Sequence, residues 1–319
     1  MKRVLITGIT GFAGSHLAEF LINNNLAEVH GTVHASNAST ENISAIKGKT
    51  KLIECNITNA RETEKAIKES SPEIIFHLAA QAFVPASISN PAETFNTNVC
   101  GTLNIFEAVR KNNINPIIHI ASSGEVYGLA LEKELPLRET NPLRPLNPYA
   151  VSKAAVDLFA FQYFKMYGLK TIVTRAFNHA GPRQSEQFVA SNWARQIATI
   201  EKTKQEAVLT TGDLRSARDF TDVRDIARAY WLVANKGSAG ETYNVCSGKT
   251  ITLKQLMAIF LKQAKKKFKV VVDETKIRKQ DVRTIKASYA KLKSVTEWKP
   301  EIPLQKTVAD TLDYWRERV

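Results

Sequence analysis

The sequence predicts an α/β fold, a doubly wound parallel sheet with a smaller C-terminal α/β lobe. Over roughly the first 180 residues, short β-branched runs alternate with amphipathic helical stretches, the pattern of a parallel sheet covered on both faces. After Arg175 the rhythm changes to longer helical stretches with scattered short strands. No internal repeat or low-complexity linker separates the two parts, so the second packs against the first and is not tethered to it.

The chain opens with MKRVLITGITG, whose glycines come too early for the apolar core of a signal peptide, so a strand is expected over KRVLITG. A helix over 14–24 follows, then strands EVHGTV and KLIECN, a helix over 60–69 and the strand EIIFHLA. Next come a helix over 92–112, the strand PIIHIASS, a helix over 148–167 and the strand KTIVTRAF. Further on, helices are expected over 187–201 and 222–235, with a terminal helix inside KPEIPLQKTVADTLDYWRERV.

Composition narrows the class. No stretch approaches the roughly 18 uninterrupted apolar residues of a membrane span, so a soluble chain with no membrane partner is expected. Cys55, Cys100 and Cys246 are too far apart for a metal or redox motif, which points to a metal-free cytoplasmic protein. The formal net charge of +13 favours anionic ligands. The run KQAKKKFK, Lys262 to Lys269, reads as a solvated helix end, and no nucleic-acid partner is expected.

The first strand leads into GITGFAG, with Gly8, Gly11 and Gly14 at the opening of a helix. Gly8 permits the tight turn, Gly11 lets the backbone approach a pyrophosphate, and Gly14 allows close helix packing. The free N–H groups of the helix N-terminus face the phosphates. Residues 8 to 14, with Thr10, Phe12 and Ala13, are therefore the candidate dinucleotide loop of a Rossmann domain. That domain is expected over residues 1–178. Residues 179–319 then form mainly the substrate lobe, with some segments returning to the sheet. The second strand ends at His34, Ala35 and Ser36 with no Asp or Glu to bind the adenosine ribose. NADP(H) is favoured over NAD(H), with His34, Ser36 or Asn37 as donors to a 2′-phosphate.

Tyr149 and Lys153 lie four apart in NPYAVSKAA and share one helix face. A phenol titrates near ~10, and a neighbouring ammonium lowers that value by favouring phenolate, so the pair suits general acid/base work. In HIASSGEVYG a strand end carries Ser122, Ser123 and Glu125, where open α/β sheets bind ligands, and a hydroxyl there could hold the reacting sugar oxygen.

Taken together, GITGFAG, HLAAQ (His77 to Gln81), NTNVCGT (Asn96 to Thr102), SSGEVYG and YAVSK resemble the extended short-chain dehydrogenase/reductases nearly end to end. The resemblance implies Tyr149 as acid/base, Lys153 positioning the cofactor ribose and Ser123 binding the sugar oxygen. It also implies cofactor contacts from Asn56, Ile57, Leu78, Ala79, Ala80 and Asn98. A homodimer is implied as well, built on helices near 92–112 and 148–167, with Phe159, Phe161 and Phe164 as compatible apolar positions.

RAFNHAGPRQ, GDLRSARDFTDVRDIARAYW and YNVCSG are similar to the branch that handles GDP-6-deoxyhexoses, which contains GDP-mannose 4,6-dehydratases and GDP-4-dehydro-6-deoxy-D-mannose reductases. By that similarity a GDP-sugar contacts Gln81, Ser123, Asn178, Arg183, Val189, Arg218, Arg278 and Asp281. A guanidinium fork suits a diphosphate. Lys279 stands where the branch usually has a proline after that last arginine. Dehydratases carry Thr, then Asp or Ser, then Glu, whereas this chain reads Ser123, Gly124, Glu125. Glycine cannot protonate a leaving hydroxyl, so the reductase is favoured and the dehydratase is the alternative, with Glu125 as its strongest argument. A C4 epimerase and a non-catalytic NADP-binding regulator rank below both.

Overall fold

The most apolar runs of the sequence become the middle of one sheet. The computed structural model describes residues 1–34, 39–204, 206–276 and 284–319. Within them the first six strands are β1 (Lys2–Thr7), β2 (Ala27–Val33), β3 (Thr50–Glu54), β4 (Ile74–His77), β5 (Ile117–Ser123) and β6 (Lys170–Ala176). The helices between and just after them are α1 (Phe12–Asn23), α2 (Ala60–Ser70), α3 (Val84–Ser89), α4 (Pro91–Phe95), α5 (Gly101–Lys111) and α6 (Pro148–Tyr167). The chain continues through β7 (Asn178–Ala180), α7 (Val189–Glu201), β8 (Val208–Thr211), β9 (Ala217–Asp222), α8 (Val223–Lys236) and β10 (Thr242–Val245). It closes with β11 (Thr250–Thr252), α9 (Leu253–Gln263), β12 (Lys269–Val272), α10 (Ala290–Thr296) and α11 (Leu304–Arg316).

The main sheet has the order β10-β6-β5-β4-β1-β2-β3, parallel throughout. Helices cover both faces, so its central strands are buried on both sides and read as continuous apolar runs, without alternation. Strand order reverses between β1 and β4, and the crevice beyond the carboxyl ends of the strands at such a switch is where open α/β sheets bind ligands. Local chemistry agrees with each boundary. α2 starts at Asn59, whose side chain accepts from the amides of Arg61 and Glu62. α6 starts at Asn147, which accepts from the Ala150 amide, has Pro148 in its first turn and ends at Gly168 with φ of 70°.

One feature departs from expectation. The helix foreseen over 92–112 runs as α4, a π-helical turn over Asn96–Cys100 and α5. Periodicity does not resolve such a bulge, which inserts one residue into the helical ladder. From the later part of the chain, β10 joins the main sheet and α8 its covering layer: Ile226, Ala227, Tyr230, Tyr243 and Val245 share one core with Val4, Ile6 and Phe76. A separate core of Trp193, Ile197, Phe260 and Leu312 lies among α7, α9 and α11. There β9 pairs β7 in parallel and β11 antiparallel. Among the described residues no helix is long and apolar enough to cross a membrane.

Candidate active site

The glycine loop joins β1 to α1 under tight steric limits. Gly8 has φ of +70°, and a Cβ on it would meet the Ala79 backbone at 3.0 Å. A Cβ on Gly14 would lie 2.4 Å from the Gly8 carbonyl oxygen and 3.0 Å from Ile9 Cα, both backbone atoms that cannot step aside. Gly11, by contrast, would crowd the Gly8 carbonyl at 3.1 Å. Gly11 also caps α1 without a side-chain acceptor, which leaves the first-turn amides available to an anion. Gly14→Ala is accordingly expected to destabilise by about 1–3 kcal/mol, and more than Gly11→Ala, in a comparison of thermal denaturation midpoints.

Around the loop, hydrogen bonds fix both the geometry and the protonation of His77. Thr102 spends its one hydroxyl proton on the Asn98 carbonyl at 2.6 Å, so His77 Nε2–H donates to Thr102, 3.0 Å away. His77 Nδ1 then accepts from the Thr7 hydroxyl at 2.8 Å, and Thr7 in turn accepts the amides of Leu78 and Ala79, each at 3.1 Å. The ring is neutral, its pKa held down to about 3 by burial first and the Lys153 charge second. This relay pins the segment after β4 against the glycine loop. Two residues expected to touch ligands are hydrogen-bonded next to it. Asn98 spends both amide protons on the Gln81 carbonyl and the Ser152 hydroxyl while its oxygen accepts the Gln81 amide. The Gln81 side chain donates to the Phe83 carbonyl and Thr94 and accepts the Phe83 amide. Both position the loop, a role that motif matching does not separate from ligand contact.

Beyond β3, Asn56 turns its side-chain oxygen to the amide and hydroxyl of Thr58. Ile57 is buried against Gly101, and its carbonyl accepts from Thr63 and Asn104. His34 is exposed at the end of β2. Ser36, Asn37, Arg278, Lys279 and Asp281 lie outside the described residues.

At the carboxyl end of β5 and the start of α6, Ser123, Glu125, Tyr149 and Lys153 converge. The Ser123 hydroxyl accepts the Glu125 amide at 3.2 Å, and Glu125, half-buried, accepts from the Asn147 amide group at 3.4 Å. Lys153 is buried and donates to the Ala121 carbonyl at 2.7 Å. Burial pulls its pKa down to about 8, opposed by the Asp157 carboxylate one turn on. The Tyr149 phenol does not follow the expected lowering. It is pushed up to about 12, by burial first, with a hydrogen bond to Ser123 pulling the other way and the Glu125 charge adding to the rise. The expectation rested on the i, i+4 ammonium, but Lys153 is held on the Ala121 carbonyl and burial is the largest influence on the phenol.

The second lobe supplies the opposite wall. Asn178 is exposed on β7. His179 stacks on Phe12 of the glycine loop, with centroids 5.7 Å apart and planes 7° apart. Val189 opens α7 next to Phe188, whose ring meets Phe83 at 5.9 Å. Arg218 is buried on β9 and donates to the Ala217 carbonyl at 2.9 Å. Arg183 has its partners on the glycine-loop side. It adopts φ of 71°, pairs with Glu19 of α1 and donates to the Asn42 carbonyl at 2.8 Å. Asn42 in turn donates to the Thr10 carbonyl at 2.9 Å, so Arg183 braces the glycine loop through Asn42. Its left-handed backbone sends the side chain across the seam, which sequence spacing does not reveal.

Sequence reasoning passed over Phe177 and the Asp157–Arg175 pair. Phe177 packs against Gly124, where a Cβ would come within 2.7 Å of its ring. Arg175 donates to Asp157 at 2.6 Å and to the Tyr127 hydroxyl at 2.9 Å, behind the catalytic candidates. Only the acid four residues beyond Lys153 signalled the pair, and charge at helical spacing is common on surfaces. Among the described residues no group of His, Cys, Asp and Glu could hold a metal ion.

A family model described as GDP-mannose 4,6 dehydratase matches residues 5–311. The chain is 33% identical over 318 residues to the GDP-6-deoxy-D-mannose reductase of Pseudomonas aeruginosa, covering 100% of this chain and 98% of that one. It is 30% identical to the GDP-mannose 4,6-dehydratase of Yersinia enterocolitica, covering 97% and 92%. The solved structure of RMD from Pseudomonas aeruginosa complexed with NADPH superposes with a TM-score of 0.86 at 32% identity, covering 100% of both chains. Matched along almost its whole length, this chain belongs to the GDP-mannose 4,6 dehydratase family, within the extended short-chain dehydrogenase/reductases.

Proposed function

We propose that this protein reduces the C4 ketone of a GDP-4-dehydro-6-deoxyhexose with NADP(H), NAD(H) being the second choice. The observation that carries the reading is the turn Ser123-Gly124-Glu125, which offers one ionisable side chain where a dehydratase needs an acid as well as a base. The crowded glycine loop and the uncapped start of α1 fit a dinucleotide pyrophosphate, and β2 ends at exposed His34 without a carboxylate to repel a 2′-phosphate. Its relative from Pseudomonas aeruginosa is complexed with NADPH. When bound, the nicotinamide supplies hydride.

The chain's own residues then handle the proton and the charge. Ser123 orients the C4 oxygen, and Tyr149 donates its phenolic proton to it. A pKa of about 12 keeps that phenol protonated at neutral pH, the form that reduction consumes. Lys153 supplies positive charge beneath it. Because Lys153 sits at about 8, kcat/KM is expected to fall as pH rises through about 8, where the ammonium is lost. A Lys153→Arg variant, charged throughout that range, should lack this alkaline limb in a pH–rate profile even if slower overall.

We read residues 1–178 as the cofactor domain and 179–319 as mainly the substrate lobe. We also read the protein as a homodimer through α6, where Val151, Leu158 and Phe161 are 42, 65 and 53% exposed on one face. Phe159 and Phe164 pack inward and take no part in that face. Leu158→Lys with Phe161→Asp should yield monomers by sedimentation velocity, and a persistent dimer would reject the face.

The dehydratase is the second reading, favoured by Glu125, a half-buried carboxylate that simple ketone reduction does not require. One experiment separates the two. The protein is incubated with GDP-mannose, and separately with GDP-4-dehydro-6-deoxy-mannose plus NADPH or NADH, following the reduced nicotinamide absorbance and the product mass. Cofactor oxidation with the keto sugar and no water loss from GDP-mannose supports the reductase. Water loss without net cofactor change overturns it.

A further inference from the structure

The peptide between Thr10 and Gly11 is held on both edges. The Gly11 amide donates to the Gly8 carbonyl at 3.0 Å, and the Thr10 carbonyl accepts from the side-chain amide of Asn42 at 2.9 Å. Glycine admits φ of either sign, so the stereochemistry of position 11 leaves that plane free to turn. A turned plane would take the Gly11 amide off the Gly8 carbonyl. It would set a carbonyl oxygen, the negative end of the peptide dipole, inside a loop whose following amides suit an anion. Asn42 is the partner that opposes this turn, and it is itself fixed from two sides. Ile43, the next residue, is fully buried in a core with Leu17 and Leu21 of α1. The Asn42 carbonyl accepts from Arg183 Nη1 at 2.8 Å, while Nη2 of the same guanidinium pairs with Glu19. Arg183 belongs to the loop between β7 and α7, so the second lobe steadies the peptide through Asn42.

We propose that Asn42 is a positioning residue of the cofactor site: with Arg183 behind it, its side-chain amide keeps the Thr10 carbonyl out of the glycine loop and so sets the affinity for the dinucleotide. The inference rests on the dinucleotide reading of that loop and not on which sugar reaction follows. The effect passes through one peptide plane and needs no contact between Asn42 and the cofactor. The Asn42 side chain lines an open cleft with Glu19, Arg183, Tyr314 and Arg318, so replacing it leaves the apolar cores intact. Alanine there would admit water to the Thr10 carbonyl, and water can stand in for the lost donor. Leucine, close to asparagine in volume, denies the carbonyl both the amide and the water.

The test is calorimetric titration of the full chain with NADPH, in Asn42→Leu, Arg183→Lys and both together, with GDP as a second ligand. Lysine keeps the charge at position 183 but cannot reach Glu19 and the Asn42 carbonyl at once, so the brace is lost while the field on an anion is kept. The expected result is about tenfold weaker NADPH binding in Asn42→Leu, the cost of a carbonyl left without a donor. Arg183→Lys should weaken it by about threefold or more. In the Asn42→Leu background the same change should weaken it by less than about twofold, because the amide through which Arg183 acts is gone. GDP, whose expected contacts Asn178 and Arg218 lie in the second lobe, should bind all four proteins alike. An Asn42→Leu variant that binds NADPH as tightly as the unsubstituted protein overturns the inference. So does an Arg183→Lys loss of equal size in both backgrounds, which would mean that the arginine acts by another route. An equal loss of GDP affinity overturns it too, since it would mean a general loosening. An unsubstituted protein that binds neither NADPH nor NADH overturns the cofactor reading, and this inference with it, before any variant is titrated.

Discussion

Tyr149→Phe is expected to slow turnover of the keto sugar by about 100- to 10,000-fold while leaving the thermal midpoint and dinucleotide binding close to those of the unsubstituted protein. That loss corresponds to about 3–5 kcal/mol of transition-state stabilisation. The substitution removes one oxygen and keeps the ring. In the proposed reaction the phenol passes its proton to the sugar oxygen that Ser123 orients, and it shares a hydrogen bond with Ser123. Steady-state kinetics with the keto sugar, together with calorimetric titration of NADPH, check it. Retention of more than a tenth of the rate would mean that Glu125 or solvent delivers the proton. A matching fall in dinucleotide affinity would mean that the phenol binds the cofactor and does not act on the sugar.

The parts of this molecule that were legible beforehand are those where a short stretch carries its own physics. The glycines at 8, 11 and 14 announce a turn and a close approach, and the structure finds backbone atoms 3.0 and 2.4 Å from where side chains at 8 and 14 would begin. The spacing of Tyr149 and Lys153 on a helix beside the β5 terminus was equally readable, because both capping and periodicity are local. What the sequence did not reveal depends on distant partners. Asn98 and Gln81 look like ligand residues until their hydrogen bonds to each other and to Ser152 and Thr94 are known. The phenol pKa was misjudged because an i, i+4 lysine is visible in sequence and burial, the largest influence on the phenol, is not. Arg183 needed both an uncommon backbone angle and a partner 164 residues away.

The Asp157–Arg175 pair carries the largest expected stability effect. The two groups are 2.6 Å apart with side chains only 4 and 8% exposed, and Arg175 also donates to the Tyr127 hydroxyl and the Glu139 carbonyl. Tyr127 passes the contact on to Asn244, so helix α6, the turn after β5 and strands β6 and β10 meet at one guanidinium. Removing it with Arg175→Ala leaves a buried carboxylate without its counter-charge, which costs about 3–5 kcal/mol. Burial raises the Asp157 pKa and Arg175 is the first influence opposing that rise, so the variant's Asp157 titrates higher still. A carboxyl whose folded pKa lies above its unfolded value of ~3.9 weakens the fold above the folded pKa and ceases to do so below the unfolded one. The deficit of Arg175→Ala should therefore be full at neutral pH and shrink as pH falls toward that value. Chemical denaturation across pH measures it. Asp157→Leu with Arg175→Met should recover part of the loss, and only part, because the Glu139 carbonyl still lacks its donor. A deficit that does not change with pH, or a double variant as unstable as Arg175→Ala, would mean that the arginine contributes through packing and the hydrogen bond to Tyr127, with its charge immaterial.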